Sequence, residues 1–294
     1  MTLVSIAIPT FNRAATLERA LASALAQTHP ETEILVSDNA STDATAELCA
    51  AHAGRVRYLR QPRNVGPTEN FNTLFRECRG DYVLMLADDD WLDPDYVERC
   101  LTAMRTGDAL VCGRARYESA DFGSIVDLEQ DDSAQRVLAY YRQVSDNAAF
   151  YGVMPRTVLS AAAPLRNVLG NDWLLLAAVA HQGRIRTIEE TSIHRAMDGT
   201  SADVGRILET FGEPRAALKA RIPQLVIARE VWRDIFWRHP IFRSHPLGDR
   251  LWLASRAALL SISWRSLAWH LTAPTFAGSP LFDRLTRALG AGRD

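Results

Sequence analysis

Lysine is nearly missing from this chain: Lys219 is the only one among 33 basic residues, and the rest are arginines. Cysteine is scarce as well, with Cys49, Cys78, Cys100 and Cys112 the only four in 294 residues. None stands at C-x-x-C spacing and no histidine cluster accompanies them. A zinc ribbon and a disulfide scaffold are therefore excluded, and reduced, buried thiols in a cytosolic protein are expected. Net charge is small, −2, so the chain as a whole is not a nucleic-acid binder. With 47% hydrophobic residues, it is not broadly disordered either. Long apolar runs are absent. Residues 266–282 carry no formal charge, but His270, Pro274, Gly278 and Pro280 break them, and nothing approaches the roughly 20 residues of a spanning helix. The opening Met1-Thr2-Leu3-Val4-Ser5 has no basic stretch, so no secretory signal is expected.

The chain is long enough for one large domain with appendages, or for two. Its first hundred residues alternate two patterns. Residues 3–9 (LVSIAIP), 33–37 (EILVS), 56–59 and 81–87 (DYVLMLA) are short apolar runs of buried-strand character. Between them, residues 16–27, 43–53 and 67–78 show helical spacing, Pro67 standing at a first-turn position, and residues 94–104 open a further helix. Strands alternating with helices predict an α/β fold with a mostly parallel, Rossmann-like sheet. Further on, residues 109–115 and 184–188 read as strands and 172–181 as a helix. The acidic run 127–132 reads as a solvated loop or part of a lid, and helices take over from about residue 207.

Ligands of such sheets bind beyond the carboxyl ends of the strands. The residues there are Thr10-Phe11-Asn12-Arg13, Asp38-Asn39, Arg63-Asn64-Val65-Gly66 and Asp88-Asp89-Asp90. The last group is the strongest signal. Three consecutive carboxylates repel one another and call for positive charge, which a hard divalent cation supplies. In an extended segment Asp88 and Asp90 share one side. The alternative is a solvated turn, with Asp90 or Asp93 capping the helix that starts near Pro94; Asp93 is assigned that capping role.

SIAIPTFNR, VSDNASTDAT, RNVGPTENFN and GDYVLMLADDDWLDP, in this order and spacing, resemble the family 2 glycosyltransferases of the GT-A fold. The resemblance is strong over residues 3–105 and extends to about residue 200 through GNDWLLLAAVAHQG and His194. It implies that Pro9, Thr10, Asn12 and Arg13 line the nucleotide. Asp38 would meet the base or ribose, and Asn64 and Gly66 would form the next nucleotide-side loop. Asn39 departs from the commoner second Asp. Ser41 and Asp43 are expected as turn and cap residues. Asn72 matches a recurring family position, whereas its neighbour Asn70 does not and is expected to be solvated. Asp88 and Asp90 match the ends of the D-x-D motif, with Asp89 between them as a further nucleotide-side residue. Asp90, Asp88 and His194 are the implied holders of Mn²⁺ or Mg²⁺. Asp172 matches the catalytic base, with a helix N-cap as its alternative, although Asn171 replaces the Glu that often precedes it. Arg195 is an alternative phosphate partner, and residues 198–201 are expected to form a loop able to close over the donor.

The implied activity is an inverting, metal-dependent transfer of one sugar from a UDP- or dTDP-sugar to a hydroxyl of a glycan or lipid-linked glycan. Its expected setting is bacterial surface polysaccharide biosynthesis. No tryptophan follows an arginine, so the Q-x-x-R-W motif of processive synthases is absent. Two rivals remain. One is a non-catalytic sugar-nucleotide or glycan-binding protein on the same fold. The other is a sugar nucleotidyltransferase, against which the first loop, lacking Gly and Lys, argues. The expected organisation is a catalytic domain over residues 1–204, divided near residue 105 into nucleotide and acceptor halves, followed by a helical region over 205–294. Residues 215–294 hold 13 basic and five acidic residues, a balance of +8, and five of the seven tryptophans. The rest of the chain must then carry −10, since −2 − 8 = −10. An Arg- and Trp-rich helical tail has the composition of an interfacial anchor on an anionic membrane, or of a subdomain packed on the core. The protein is thus expected in the cytoplasm, peripheral on the inner membrane face.

Overall fold

The computed structural model describes residues 2–117, 125–144, 147–196, 209, 211–212, 220 and 222–262. The expected loop at 198–201 and the tail beyond residue 262, with Trp264 and Trp269, lie outside the described residues.

One sheet organises the chain. Its strands are β1 (Val4–Thr10), β2 (Thr32–Asp38), β3 (Val56–Arg60), β4 (Tyr82–Met85), β5 (Trp91–Leu92), β6 (Asp108–Tyr117), β7 (Val153–Pro155) and β8 (Arg184–Arg195), in the order β3-β2-β1-β4-β7-β6-β8-β5. The pairs β1–β2, β1–β4, β2–β3 and β6–β8 are parallel, and β4–β7, β6–β7 and β5–β8 antiparallel. The period of two along β1 divides its side chains between two cores. Val4, Ile6 and Ile8 pack with Val36, Leu84 and Leu86 on one face. Ala7 joins Leu35, Val83 and Met85 on the other.

Helices α1 (Ala14–Leu25) and α4 (Tyr96–Ala103) cover the first face, with α2 (Thr45–Ala51) beside α1. The second face is covered by α3 (Pro67–Glu77), α5 (Ser133–Gln143), α6 (Arg156–Ala162) and α7 (Asn171–Gln182). Every residue from Leu174 to Ala180 is buried, as a helix apolar on all sides must be. Helices α8 (Pro223–Arg233) and α9 (Leu247–Leu260) form a further layer there, placing Val231, Leu253 and Ala257 in the core that holds Leu175 and Val179.

Close packing at Gly113 links the two halves. A Cβ at this position would lie 2.6 Å from Tyr96 Cε2 and 2.7 Å from the Thr191 carbonyl oxygen, beside a register shift in the β6–β8 ladder. The Gly113 N–H donates to the Tyr96 hydroxyl, which donates in turn to the Tyr151 carbonyl, both at 3.0 Å.

Several expectations are corrected. Asn70 is buried rather than solvated: its Oδ1 accepts from Ser37 Oγ (2.7 Å) and its Nδ2 donates to the Ser37 carbonyl (2.9 Å). Asp93 does not cap α4 with its side chain. Its carboxylate accepts from the Ser192 N–H and pairs with His194 instead. The acidic run is not simply solvated. Leu128 is buried in a bridge to Ile185, and Asp132 caps α5 by accepting from the Gln135 N–H at 2.8 Å. The strand expected over 184–188 continues to Arg195.

Candidate active site

The site forms where β1, β4 and β8 end. Thr10, the last residue of β1, donates through Oγ1 to Asp88 Oδ2 at 2.8 Å. Arg13, just before α1, places Nη1 2.9 Å from Asp88 and Nη2 3.0 Å from Asp89. Arg195, at the end of β8, approaches Asp90 Oδ2 with Nε at 3.3 Å, and the Ala196 N–H donates to Asp90 Oδ1 at 3.1 Å. Arg13 thus holds Asp88 and Asp89, Arg195 holds Asp90, and Arg19 reaches the Asp89 carbonyl with Nη2 at 3.2 Å.

Even so, burial outweighs these cations at Asp88 and Asp90. All three carboxylates are buried. Burial pushes the Asp88 carboxyl up to about 6 against the pull of Arg13 and Thr10. It pushes Asp90 up to about 6 as well, against Arg195 and the Ala196 N–H. Burial also opposes the charge on Arg13, yet Asp88 and Asp89 more than offset it and raise that group above its ordinary value. A buried acidic group that its own cations do not satisfy attracts further positive charge.

The remaining nucleotide-side residues form an interlocked loop layer. Asn12 sits in the left-handed region (φ 53°), its N–H donating to Ser41 Oγ and its Oδ1 accepting from the Thr42 N–H. Pro9 precedes this turn within β1. Asp43 accepts from the Ala14 N–H and from Thr45, in keeping with its expected turn role, whereas the N-cap of α2 is Ala44, with no side-chain cap. Asn39 donates to Asn64 Oδ1 (2.9 Å) and accepts from the Val65 N–H (2.8 Å). Asn64 Oδ1 also accepts from the Gly66 N–H, with Gly66 at φ 86° as N-cap of α3. Asp38 has no exposed surface. Its oxygens accept from the Ser41 N–H (2.8 Å) and the Tyr58 hydroxyl (2.5 Å), so it braces the loop from beneath. Asn72 holds Leu165 through both its N–H and its carbonyl.

Asp172 lies in the first turn of α7, behind Gly170, the N-cap at φ 76°. It is therefore not the N-cap itself, although its Oδ1 accepts from the Trp173 N–H at 3.0 Å. Burial pushes its carboxyl upward, with Asn147, the Trp173 N–H and Arg195 acting against that shift. Arg195 thus acts on both Asp90 and Asp172. Its guanidinium lies 5.0 Å from the centroid of the Tyr151 ring, and its Nη1 donates to the Tyr117 hydroxyl at 3.2 Å.

His194 faces elsewhere. Its Nε2 is 2.8 Å from Asp93 Oδ1, and its ring stacks on Trp91 with 5.1 Å between centroids. Arg19 covers the other rung of this ladder at 3.6 Å from the Trp91 centroid. The neighbour of His194, not His194, is the residue that reaches Asp90. Sequence reasoning offered Arg195 only as an alternative, and it missed Asn147 and Tyr151 altogether. Asn147 had one readable cue, that asparagine tolerates left-handed backbone better than other side chains bearing a Cβ.

A sequence profile described as Glycosyl transferase family 2 matches residues 5–161, just over half of the chain. The chain belongs to this family. Chondroitin synthase of Escherichia coli is 41% identical over 113 residues, 37% of this chain and 16% of that protein. The GalNAc(5)-diNAcBac-PP-undecaprenol beta-1,3-glucosyltransferase of Campylobacter jejuni is 33% identical over 181 residues, 58% of either chain. The match thus spans under two thirds of either relative. Among solved structures, the mannosyltransferase PcManGT from Pyrobaculum calidifontis, in complex with GDP-Man and Mn²⁺, superposes with a TM-score of 0.59 at 16% identity, over 99% of this chain and 80% of that one. Residues 1–349 of S. aureus TarS, in complex with UDP-GlcNAc, give 0.56 at 14% identity, over 90% and 83%. At such identities the likeness establishes the fold alone: a GT-A α/β sheet followed by C-terminal helices. The chain carries a glycosyltransferase domain.

Proposed function

We propose that the protein is an inverting, metal-dependent, non-processive glycosyltransferase. It would move one sugar from a UDP- or dTDP-sugar to a hydroxyl of a glycan or lipid-linked glycan, in the synthesis of a bacterial surface polysaccharide. The observation that carries this reading is the row of carboxylates beyond the strand ends, Asp88 and Asp89 held by Arg13 and Asp90 by Arg195, with Arg195 also acting on Asp172 at the start of α7.

Among the described residues no group of three His, Cys, Asp or Glu side chains is poised for a metal ion. Mg²⁺ and Mn²⁺ sites in transferases need only one or two carboxylates, the rest being water and substrate phosphate. The donor set here fits that need: hard oxygen ligands, buried, whose charge the burial opposes. Asp90 and Asp88 would hold the cation, which stabilises negative charge developing on the leaving diphosphate. His194, paired to Asp93, is assigned no ligand role. Arg13 and Arg195 are planar fork donors suited to phosphate oxygens. Thr10, Asn12, Asn64, Gly66 and Asp89 would frame the nucleotide, with Pro9 and Asp38 supporting them from behind. Asp172 would take the proton of the acceptor hydroxyl as that oxygen attacks the anomeric carbon, and a single displacement inverts the centre.

Partner surfaces follow from the C-terminal layer. Leu247, Leu251, Trp252 and Leu259 form an exposed apolar stripe on α9, and Trp237 is 61% exposed nearby. Arg229, Arg233, Arg243 and Arg256 are exposed around them, with Asp249 the one exposed acid in the described part of this layer. This supports peripheral binding to an anionic membrane by a layer that is also packed on the core. No helix among the described residues is long and apolar enough to cross a membrane.

The test is a donor screen by thermal shift across UDP-, dTDP- and GDP-sugars with Mn²⁺, followed by turnover of Asp90→Ala and Asp172→Asn. Both variants should lose transfer, while Asp172→Asn keeps donor binding. Normal turnover by Asp172→Asn would remove the base assignment, and binding without any turnover by the native chain would favour the non-catalytic rival.

A further inference from the structure

Arg13 and Arg195 hold the acidic row in different ways. Arg13 spreads two nitrogens over two carboxylates, at 2.9 Å from Asp88 and 3.0 Å from Asp89. Arg195 approaches Asp90 Oδ2 with Nε at 3.3 Å, longer than the roughly 2.7–2.9 Å of a strong charge-assisted bond. Tyrosines hold the rest of its guanidinium. Nη1 donates to the Tyr117 hydroxyl at 3.2 Å, and the group lies 5.0 Å from the Tyr151 ring centroid and 5.7 Å from that of Tyr117. Attraction between a cation and a ring face does not depend on where the fork points. The guanidinium can therefore turn its donors away from Asp90 and keep much of this support. Its side chain is 19% exposed against 2% for Asp90, so the arginine is the partner with room to move.

Asp90 needs a partner throughout. An ionised carboxylate buried to this degree is costly without positive charge or N–H donors. The Ala196 N–H supplies one bond, to Oδ1 at 3.1 Å, and Arg195 takes the side of Oδ2. A divalent cation on that carboxylate would set two further positive charges beside the guanidinium. Like charges so close repel, so the two cannot share Oδ2. A nucleoside diphosphate brings several negative charges, and a guanidinium fork matches its oxygens.

We propose that Arg195 is an exchangeable counter-ion, which neutralises Asp90 in the free enzyme and passes to the diphosphate when cation and nucleotide bind. This rests on the reading of Asp90 as a cation ligand. Its consequence is a coupling between the two ligands. With no anion to receive Arg195, a cation displaces it unaided and binds weakly. With the diphosphate present, the same displacement gains a new ion pair. Each ligand then raises the affinity of the other by one and the same factor.

The test measures Mn²⁺ binding to the full chain by electron paramagnetic resonance, with and without UDP. Arg195→Gln deletes the charge and keeps a polar side chain. It should bind Mn²⁺ alone about tenfold more tightly than the native chain, and the factor by which UDP raises Mn²⁺ affinity should fall at least about fivefold. Tyr117→Phe removes the acceptor of Nη1 and loosens the arm. It should tighten binding of Mn²⁺ alone by about two- to threefold. Native or weaker Mn²⁺ affinity in Arg195→Gln without UDP would overturn the proposal, as would an unchanged coupling factor. If Arg195→Gln folds poorly, native affinity in Tyr117→Phe overturns it instead. Binding of Mn²⁺ alone needs no nucleotide, so the result holds whatever base the donor carries. Asp90→Asn in parallel separates the two levels. If it loses Mn²⁺ while Arg195→Gln binds as the native chain does, only the exchange falls; if Asp90→Asn itself binds Mn²⁺ as the native chain does, the cation reading of Asp90 falls too.

Discussion

Asp90→Asn should stabilise the metal-free protein while abolishing transfer. The native Asp90 carboxyl is raised from 3.8 to about 6, burial outweighing Arg195 and the Ala196 N–H. Two units correspond to about 3 kcal/mol against the charged form at neutral pH. The pull of Arg195 is already inside that net value, and an Asn Oδ1 can still accept from the Ala196 N–H. The amide therefore relieves most of the penalty, leaving a gain of about 1–3 kcal/mol. For a domain of this size that is a Tm rise of about 3–8 °C.

The sign of the pH dependence is fixed. A carboxyl whose folded pKa lies above its unfolded one binds more protons when folded between about pH 4 and 6, so the native chain loses stability as pH rises through that window. The gap between variant and native protein should be near zero at pH 4 and complete above about pH 6. Differential scanning fluorimetry in EDTA, from pH 5 to 8, reads it directly. Adding Mn²⁺ and UDP should reverse the order, since the native protein alone has the carboxylate to couple the cation to stability. A variant that melts at or below the native protein at pH 7.5, or a gap that ignores pH, would refute the account of an acidic site whose charge burial opposes.

Three further outcomes are expected. Burial, with His245 and Arg136, pushes His181 down to about 4, so stability should fall as pH drops from about 6.5 toward 4. The ring is only partly buried, which discounts the effect to about 1 kcal/mol; urea midpoints at pH 5 and 7.5 should differ less in His181→Asn than in the native chain, and parallel midpoints would contradict it. Gly113→Ala should cost about 1–3 kcal/mol at unchanged m-value, because its Cβ would meet Tyr96 and the Thr191 carbonyl; a native urea midpoint would refute the close approach. Leu251→Asp with Trp252→Asp should release the protein from vesicles containing anionic lipid without altering turnover on a soluble acceptor, and added salt should weaken native binding. Equal co-sedimentation of native and doubly substituted protein would remove the membrane role.

The nucleotide half was legible because local pattern and fold agree there. Each apolar run of residues 3–87 became a strand, with ends shifted by at most two residues, and each carried its polar group to one edge of the sheet. The triple carboxylate was legible for the same reason: three adjacent acids that are buried at a strand end call for positive charge, and Arg13 and Arg195 supply guanidinium groups. The second half hid its elements. Strand β7 is three residues long and β5 two, too short for any periodicity, and both exist only because β4, β6 and β8 offer them hydrogen bonds.

Side-chain roles were least legible where the motif position was occupied but its environment was unknown. Asp38 and Asn70 are cases in point. Both follow β-strand or helix patterns that say nothing about depth, and both lie under the loop layer, Asp38 against Tyr58 and Asn70 against Ser37. His194 and Arg195 show the opposite error of one position. Along a strand, adjacent residues point to opposite faces, so when Trp91 pairs with His194 in the β5–β8 ladder the imidazole turns toward Trp91 and Asp93 and the guanidinium toward Asp90. A slip of one residue in that short ladder would exchange the two roles and bring the imidazole to the acidic site. The two-residue strand β5 therefore decides which side chain meets Asp90, and a substitution that breaks it should damage turnover more than its small buried area suggests.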